Sequence, residues 1–124
     1  MTIAQAIAKA TEAVPNTIEQ KALVEWLSRV DWQVKKEILD NYTDEIEYNG
    51  YDGSDTSITL LVEPPYDELY IRYLEAMIRR NYDELVKYNN AISEYNAIFH
   101  QYQAQYNRTH TPKGEHRFKF YGGM

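Results

Sequence analysis

Hydrophobic residues near the N-terminus fall into two helical patterns. The first predicts a helix over 2–14, which begins with the capping-box sequence Thr2-Ile-Ala-Gln5 and stops at Pro15. The second predicts a helix over 17–40 with apolar residues on one stripe. That stripe consists of Leu23, Trp26, Leu27, Val30, Val34 and Ile38.

A heptad repeat is the strongest pattern in the C-terminal half. Its apolar positions alternate spacings of three and four: Ile71, Leu74, Ile78, then Leu85, Tyr88, Ile92, Tyr95, Phe99, Tyr102 and Tyr106. We therefore predict one continuous helix over 67–109, about 60 Å long. Because a domain of this size is too small to cover such a helix, we expect part of it to lie against another chain. The alternative is a break near Asn81, where Asn81-Tyr-Asp-Glu84 also has capping-box form.

The helical period fails in the intervening segment, 41–65. Asn49-Gly50 and Asp52-Gly53 are turn dipeptides, and β-branched residues are frequent over 56–62. The pattern predicts a loop with a small β-hairpin over 45–62.

These elements define the expected fold class as mainly α, an antiparallel helical bundle. The chain has 124 residues, 44% of them hydrophobic, which suits one domain with one modest core. We expect a single helical domain over 1–124 that ends in an extended tail over 110–124.

Charge is distributed unevenly along this chain of net charge −6. Ten acidic residues and no Lys or Arg lie between Glu37 and Glu68, whereas Arg108, Lys113, Arg117 and Lys119 lie near the C-terminus. An acidic middle and a basic end permit head-to-tail contact between copies. The alternative is that both are ordinary solvated surfaces.

Tyrosine is abundant, with 12 Tyr against 3 Phe and 2 Trp. Its ring is apolar and its hydroxyl tolerates partial wetting, which suits helix surfaces that become interfaces. We predict that core packing uses Trp26, Leu27, Val30, Leu74, Leu85, Ile92 and Phe99. Contacts with other subunits are predicted for Tyr95, Tyr102, Tyr106, Arg108, Arg117, Phe118 and Phe120.

No motif of catalysis or of cofactor binding occurs in the sequence. It lacks a P-loop, a nucleophile elbow, a zinc-protease helix and a dinucleotide fingerprint. There is no Cys, and the three His have no spacing typical of a zinc site. No apolar run approaches the ~20 residues of a membrane span. We expect a protein that is not an enzyme and has no cofactor, metal or membrane contact.

Two stretches of the sequence resemble a known group of proteins. One contains Pro15-Asn16 and the segment Lys21–Leu27. The other runs from Pro65-Tyr-Asp-Glu-Leu-Tyr70 through Tyr88-Asn-Asn90 to Tyr106-Asn-Arg-Thr-His110. Together they resemble the head–tail connector, or adaptor, proteins of tailed bacteriophages and prophages. The resemblance covers most of the chain outside the loop 43–58.

The resemblance implies a structural subunit of a virion, made in the host cytoplasm. Connector proteins form dodecameric rings that dock beneath the portal protein, contact a downstream neck or tail protein and extend the DNA channel. Contact with genomic DNA is then passive, since negative walls repel its backbone. On this hypothesis the channel-facing residues are Asp44, Glu45, Glu47, Asp52 and Asp55. The alternatives are another phage neck or tail assembly protein, or a small regulatory or anti-defence binding protein.

Overall fold

Residues 1–113 fold as a bundle of four α-helices. The computed structural model describes residues 1–113. The helices are α1 (Ile3–Ala13), α2 (Gln20–Glu37), α3 (Glu68–Asn81) and α4 (Leu85–Thr109), with a 3₁₀ turn at Leu39–Asn41. The most extensive contact is between α3 and α4, and both α1 and α2 pack on α3. The prediction of a mainly helical bundle is confirmed.

Local sequence determines α1 in the way that was predicted. The Thr2 hydroxyl accepts a hydrogen bond from the Gln5 amide at 3.1 Å, and the Gln5 side chain accepts one from the Thr2 amide at 2.9 Å. This capping box satisfies two amides that a helix N-terminus otherwise leaves unpaired. Ile3, Ala6 and Ala10 then form the buried face of the helix.

Helix α2 buries the predicted stripe but is shorter than the predicted 17–40. Leu27, Val30 and Val34 are at most 1% exposed, whereas Trp26 is only partly buried. The same face also contains an ionisable residue, Asp31, which is 0% exposed. The last turn tightens into the 3₁₀ turn before the chain leaves the bundle.

The prediction of one continuous helix over 67–109 is wrong, because the helix breaks between α3 and α4. Asp83 adopts a left-handed conformation, φ 59°, which Asp tolerates better than most residues. The Glu84 amide donates to the Arg79 carbonyl at 2.9 Å, and the two side chains form an ion pair at 2.9 Å. These contacts close the end of α3 and turn α4 back along it as an antiparallel hairpin.

The break allows the aromatic ridge of α4 to pack inside the same chain. Its buried members are Tyr95, Phe99, Tyr102 and Tyr106, each 2–5% exposed. They contact aromatic rings of the preceding segments, with centroid separations of 5.0 Å for Tyr73–Tyr95, 5.7 Å for Tyr66–Tyr102 and 4.9 Å for Tyr42–Tyr106. The ridge therefore needs no second chain to cover it, and the argument from an overlong helix does not hold.

The predicted hairpin over 45–62 does not form. The strand-like residues pair instead with the N-terminus: the Ile3 amide donates to the Ile58 carbonyl at 3.0 Å and the Leu60 amide to the Met1 carbonyl at 2.9 Å. Within residues 1–113 the only bridges are isolated ones, Thr2 with Thr59 and Tyr42 with Pro112. Gly50 and Gly53 do adopt positive φ, 89° and 86°, as turn glycines.

The start of the predicted tail is held against the bundle. The Thr43 amide donates to the Thr111 carbonyl at 3.0 Å, and the Lys113 amide donates to the Asn41 carbonyl at 2.9 Å. The rest of the tail lies outside the described residues.

Candidate protein-interaction site

A buried carboxylate fastens the irregular segment 42–67 to the helices. Asp31 accepts hydrogen bonds from the Tyr70 hydroxyl at 2.6 Å, from the Tyr51 hydroxyl, and from the Leu61 amide at 3.1 Å. The Tyr70 hydroxyl in turn accepts from the Val62 amide at 2.7 Å. One group on α2 thereby joins α3 to two points of the segment.

Burial dominates the electrostatics of this network. It raises the pKa of Asp31, although the bonds from Tyr51 and Tyr70 oppose the shift. Burial, reinforced by the nearby Asp31 charge, also raises the pKa of the Tyr51 and Tyr70 hydroxyls. Asp31 and Tyr70 are both 0% exposed, so neither can reach a substrate from outside. The network is an anchor for the loop.

A second anchor lies one turn earlier on α2. The Tyr48 hydroxyl donates to the Ser28 carbonyl at 2.7 Å, and the Ser28 hydroxyl accepts from the Tyr51 amide at 3.1 Å. Burial raises the pKa of Tyr48 to about 12. The Tyr48 ring lies edge-on to Trp32 at 4.8 Å, and Trp32 remains 39% exposed.

The predicted channel-facing acids fall into two groups, one before and one after the anchored residues Tyr48 and Tyr51. Asp44, Glu45 and Glu47 are exposed and line an open groove of about 460 Å³. We call it the acidic groove; its walls are Lys35, Asp40, Thr43, Asp44, Glu45, Ile46, Glu47 and Lys113.

Asp52 and Asp55 do not line that groove. Each closes a local turn, since Asp52 accepts from the Ser54 amide and Asp55 from the Ser57 amide, both at 2.9 Å. Hydrogen bonds from these serines lower the pKa of both carboxyls. These two acids therefore have a local structural role in the loop.

The predicted interface residues are not gathered on one surface. Tyr95, Tyr102 and Tyr106 lie in the core of the single chain rather than on an exposed face, because α4 folds back on α3. Burial raises the pKa of Tyr95 and Tyr102. Arg108 is exposed on α4. The other three predicted interface residues, Arg117, Phe118 and Phe120, lie outside the described residues.

An exposed apolar cluster lies instead at the turn between α3 and α4. Tyr82 is 44% exposed, Leu85 is 60% exposed and Val86 is 75% exposed. We call these three residues the tip. Together they form a small exposed apolar patch, the kind of surface that is available for contact with another protein.

One residue of the tip, Tyr82, is bonded to another part of the bundle. The Tyr82 hydroxyl accepts from the Thr17 amide at 3.2 Å, which joins the tip to the α1–α2 connection. The Arg79 ion pair lowers the pKa of Glu84 and keeps that carboxylate charged. Arg80 and Lys87 are exposed on either side of the turn.

Sequence reasoning missed the tip because Leu85 continues the heptad phase and was predicted to pack in the core. The structure corrects that assignment: Leu85 is exposed, Trp26 and Ile92 are partly buried, and the other predicted packing residues are buried. One signal for the turn was present, the capping-box form of Asn81-Tyr-Asp-Glu84.

In residues 1–113 no group of three or more His, Asp or Glu side chains is arranged to hold a metal ion. None of the helices in that range is both long and apolar enough to cross a membrane.

Comparisons with protein-family models, curated proteins and solved structures find no match for this chain.

Proposed function

We propose that this protein is a structural subunit of the head–tail connector, or adaptor ring, of a tailed bacteriophage. In this role it docks beneath the portal protein, contacts a downstream neck or tail protein and extends the channel for the genome. The proposal starts from the connector-like sequence Pro65-Tyr-Asp-Glu-Leu-Tyr70. That sequence forms the entry to α3, where Tyr70 is bonded to the Asp31 anchor.

The observation that carries the proposal is the tip. Leu85 and Val86 together expose far more apolar surface than their neighbours on α4, at 60% and 75% of each residue. They lie at the end of the bundle where α3 turns into α4. Full burial of such a side chain is worth roughly 1.5–3 kcal/mol, and a protein partner that covers the exposed 60% and 75% recovers part of that gain. A subunit that works by contact with other proteins accounts for this surface.

A role without chemistry of its own is supported by the placement of the ionisable groups. The carboxyl with a raised pKa, Asp31, is sealed in the core and serves the loop anchor. The exposed carboxylates Asp44, Glu45 and Glu47 line an open acidic groove. In the proposed role, acids that face the channel repel the DNA backbone and permit only passive contact with the genome.

Purified particles test the proposal. Mass spectrometry of virions made with the wild-type gene should find this protein together with the portal protein. Deleting the gene should give filled heads without attached tails. Complementation with Leu85→Ser/Val86→Ser should fail although the variant folds. Ile58→Ser, which changes a 40% exposed apolar residue outside the tip, should complement. A protein absent from purified particles contradicts the proposal.

A second candidate, a small regulatory or anti-defence binding protein, is favoured by one observation. The aromatic ridge of α4 is covered within the single chain, so the fold is complete without assembly. Such a protein should co-purify from infected or lysogenic cells in a one-to-one complex with a host protein, and it should not be found in particles.

A further inference from the structure

The tip and the acidic groove lie at opposite ends of α4. The tip includes Leu85, the first residue of the helix. The groove is fastened to the other end, where the Thr43 amide bonds the Thr111 carbonyl at 3.0 Å and Asp44 lies 3.8 Å from the His110 ring nitrogen. With 25 residues in α4, the two surfaces are about 36 Å apart. They cannot meet within one chain.

The two surfaces are complementary in charge. Residues 79–87 contain three bases and two acids, a net positive charge, and the exposed bases Arg80 and Lys87 flank the apolar tip. The acidic groove has four carboxylates and two lysines, a net negative charge. Opposite signs favour this contact in a chain whose net charge of −6 otherwise opposes self-association.

The groove also offers an apolar contact of its own. Ile46 lies among its carboxylates and is 37% exposed. Its open volume of about 460 Å³ is sufficient for the aliphatic side chains of Leu85 and Val86. Apolar contact at the centre with charged residues around it is the usual arrangement of a protein interface.

We infer that the acidic groove of one copy binds the tip of a second copy of this chain. The inference rests on the proposed function, since it names the surfaces by which connector subunits meet. A contact between two different surfaces is heterologous, and repetition of it closes a ring or extends a filament. Each added copy presents a free tip and a free groove until the ring closes.

Cysteine trapping tests this contact, because the natural chain has no Cys. Val86→Cys places a cysteine at the tip, and Ile46→Cys places one in the groove. The full-length chain with both changes carries a cysteine on each surface. Ser93→Cys is the matched control, since Ser93 is exposed on α4 between the two ends. A short flexible bis-maleimide joins cysteines that approach each other and tolerates imperfect geometry. Cross-linked products are then counted by mass on denaturing gels.

Head-to-tail contact predicts that a mixture of Val86→Cys and Ile46→Cys proteins gives a heterodimer several-fold more abundant than either protein gives alone. The doubly labelled chain should give a ladder of oligomers, and Lys87→Glu should weaken it. The inference is overturned if Val86→Cys alone dimerises as well as the mixture, which indicates tip-to-tip contact. It is also overturned if no product exceeds that of Ser93→Cys at about 1 mM protein, where even very weak complexes form.

The trapping result and the particle result are separable. A ladder from a protein that is absent from purified particles leaves the contact standing and removes the connector function. A protein that is present in particles but gives no ladder supports the connector function and removes this contact between copies.

Discussion

Two leucines of the same heptad phase provide the sharpest test of the fold. Leu74 on α3 is 0% exposed, whereas Leu85 at the start of α4 is 60% exposed. Leu74→Ala should cost about 2–5 kcal/mol of unfolding free energy, the sum of lost burial and the cavity that remains. Leu85 has less than half of its surface to lose, and Ala is at least as good a helix former as Leu. Its replacement should therefore change stability by less than about 0.5 kcal/mol.

Urea unfolding followed by circular dichroism measures both variants on the same scale. With a slope of about 1–3 kcal/mol per molar urea, a loss of about 2–5 kcal/mol in Leu74→Ala should shift the midpoint by roughly 0.7–5 M. Leu85→Ala should leave the midpoint nearly unchanged, and both variants should keep the wild-type slope. If the two substitutions destabilise the protein equally, the helix is not broken at Asp83 and Leu85 is a core residue.

The remaining predictions concern the loop anchor and the tail. Tyr70→Phe should lower the unfolding free energy by about 1–3 kcal/mol, because it leaves the Val62 amide unpaired and removes a hydrogen bond to Asp31. Tyr82→Phe at the exposed tip should lower it by less than about 1 kcal/mol. Thermal unfolding of the two variants compares these losses. Burial raises the pKa of Asp31, so the folded state holds this proton more tightly than the unfolded state. The unfolding free energy of the wild type, relative to that of Asp31→Asn, should therefore be highest below about pH 4 and should fall as pH rises through the pKa of folded Asp31. Urea titrations across pH measure this difference, and a constant difference would contradict the prediction. Truncation after Lys113 should leave the unfolding midpoint unchanged while weakening incorporation into particles, and a loss of folding would place the tail in the core instead.

Local signals account for the parts of the fold that the sequence predicted correctly. The capping box at Thr2 and Gln5 acts through contacts three residues apart, so it is visible without tertiary information. The stripe on α2 is equally local, since it requires only one apolar face. Both helices end within a few residues of their predicted bounds.

The helix break depends on contacts that sequence periodicity does not reveal. Ile78 and Leu85 keep the heptad phase across the break, so the pattern favours one helix. The chain turns at Asp83 because the α4 ridge then packs on rings such as Tyr73 and Tyr66. The gain from burying that ridge within one chain outweighs the cost of the turn.

The loop shows the same limitation. Residues 56–62 are rich in β-branched side chains, and they do adopt extended pairing, but with the N-terminus rather than with the residues near Glu45. The Asp31 anchor also holds Leu61 and Tyr51 against α2, a long-range contact that the sequence pattern does not reveal. In a sequence, an Asp in a helix is normally assigned to the solvent-exposed face. The buried position of Asp31, and with it the anchor, was therefore missed.

The channel-facing role of the acidic residues stays a prediction, whereas the apolar tip was missed. Asp44, Glu45 and Glu47 lie on an exposed surface, as a run of acids without bases indicates. The tip was hidden within the heptad pattern, because only the fold distinguishes an exposed Leu85 from a buried one.

The neck of an assembled particle provides the most direct test of whether this chain is a connector subunit. A density map that resolves helices should contain several copies of this four-helix fold below the portal, with the α3–α4 turn of each copy against residues 40–47 of the next. A complete neck whose density is fully explained by other proteins would contradict the account.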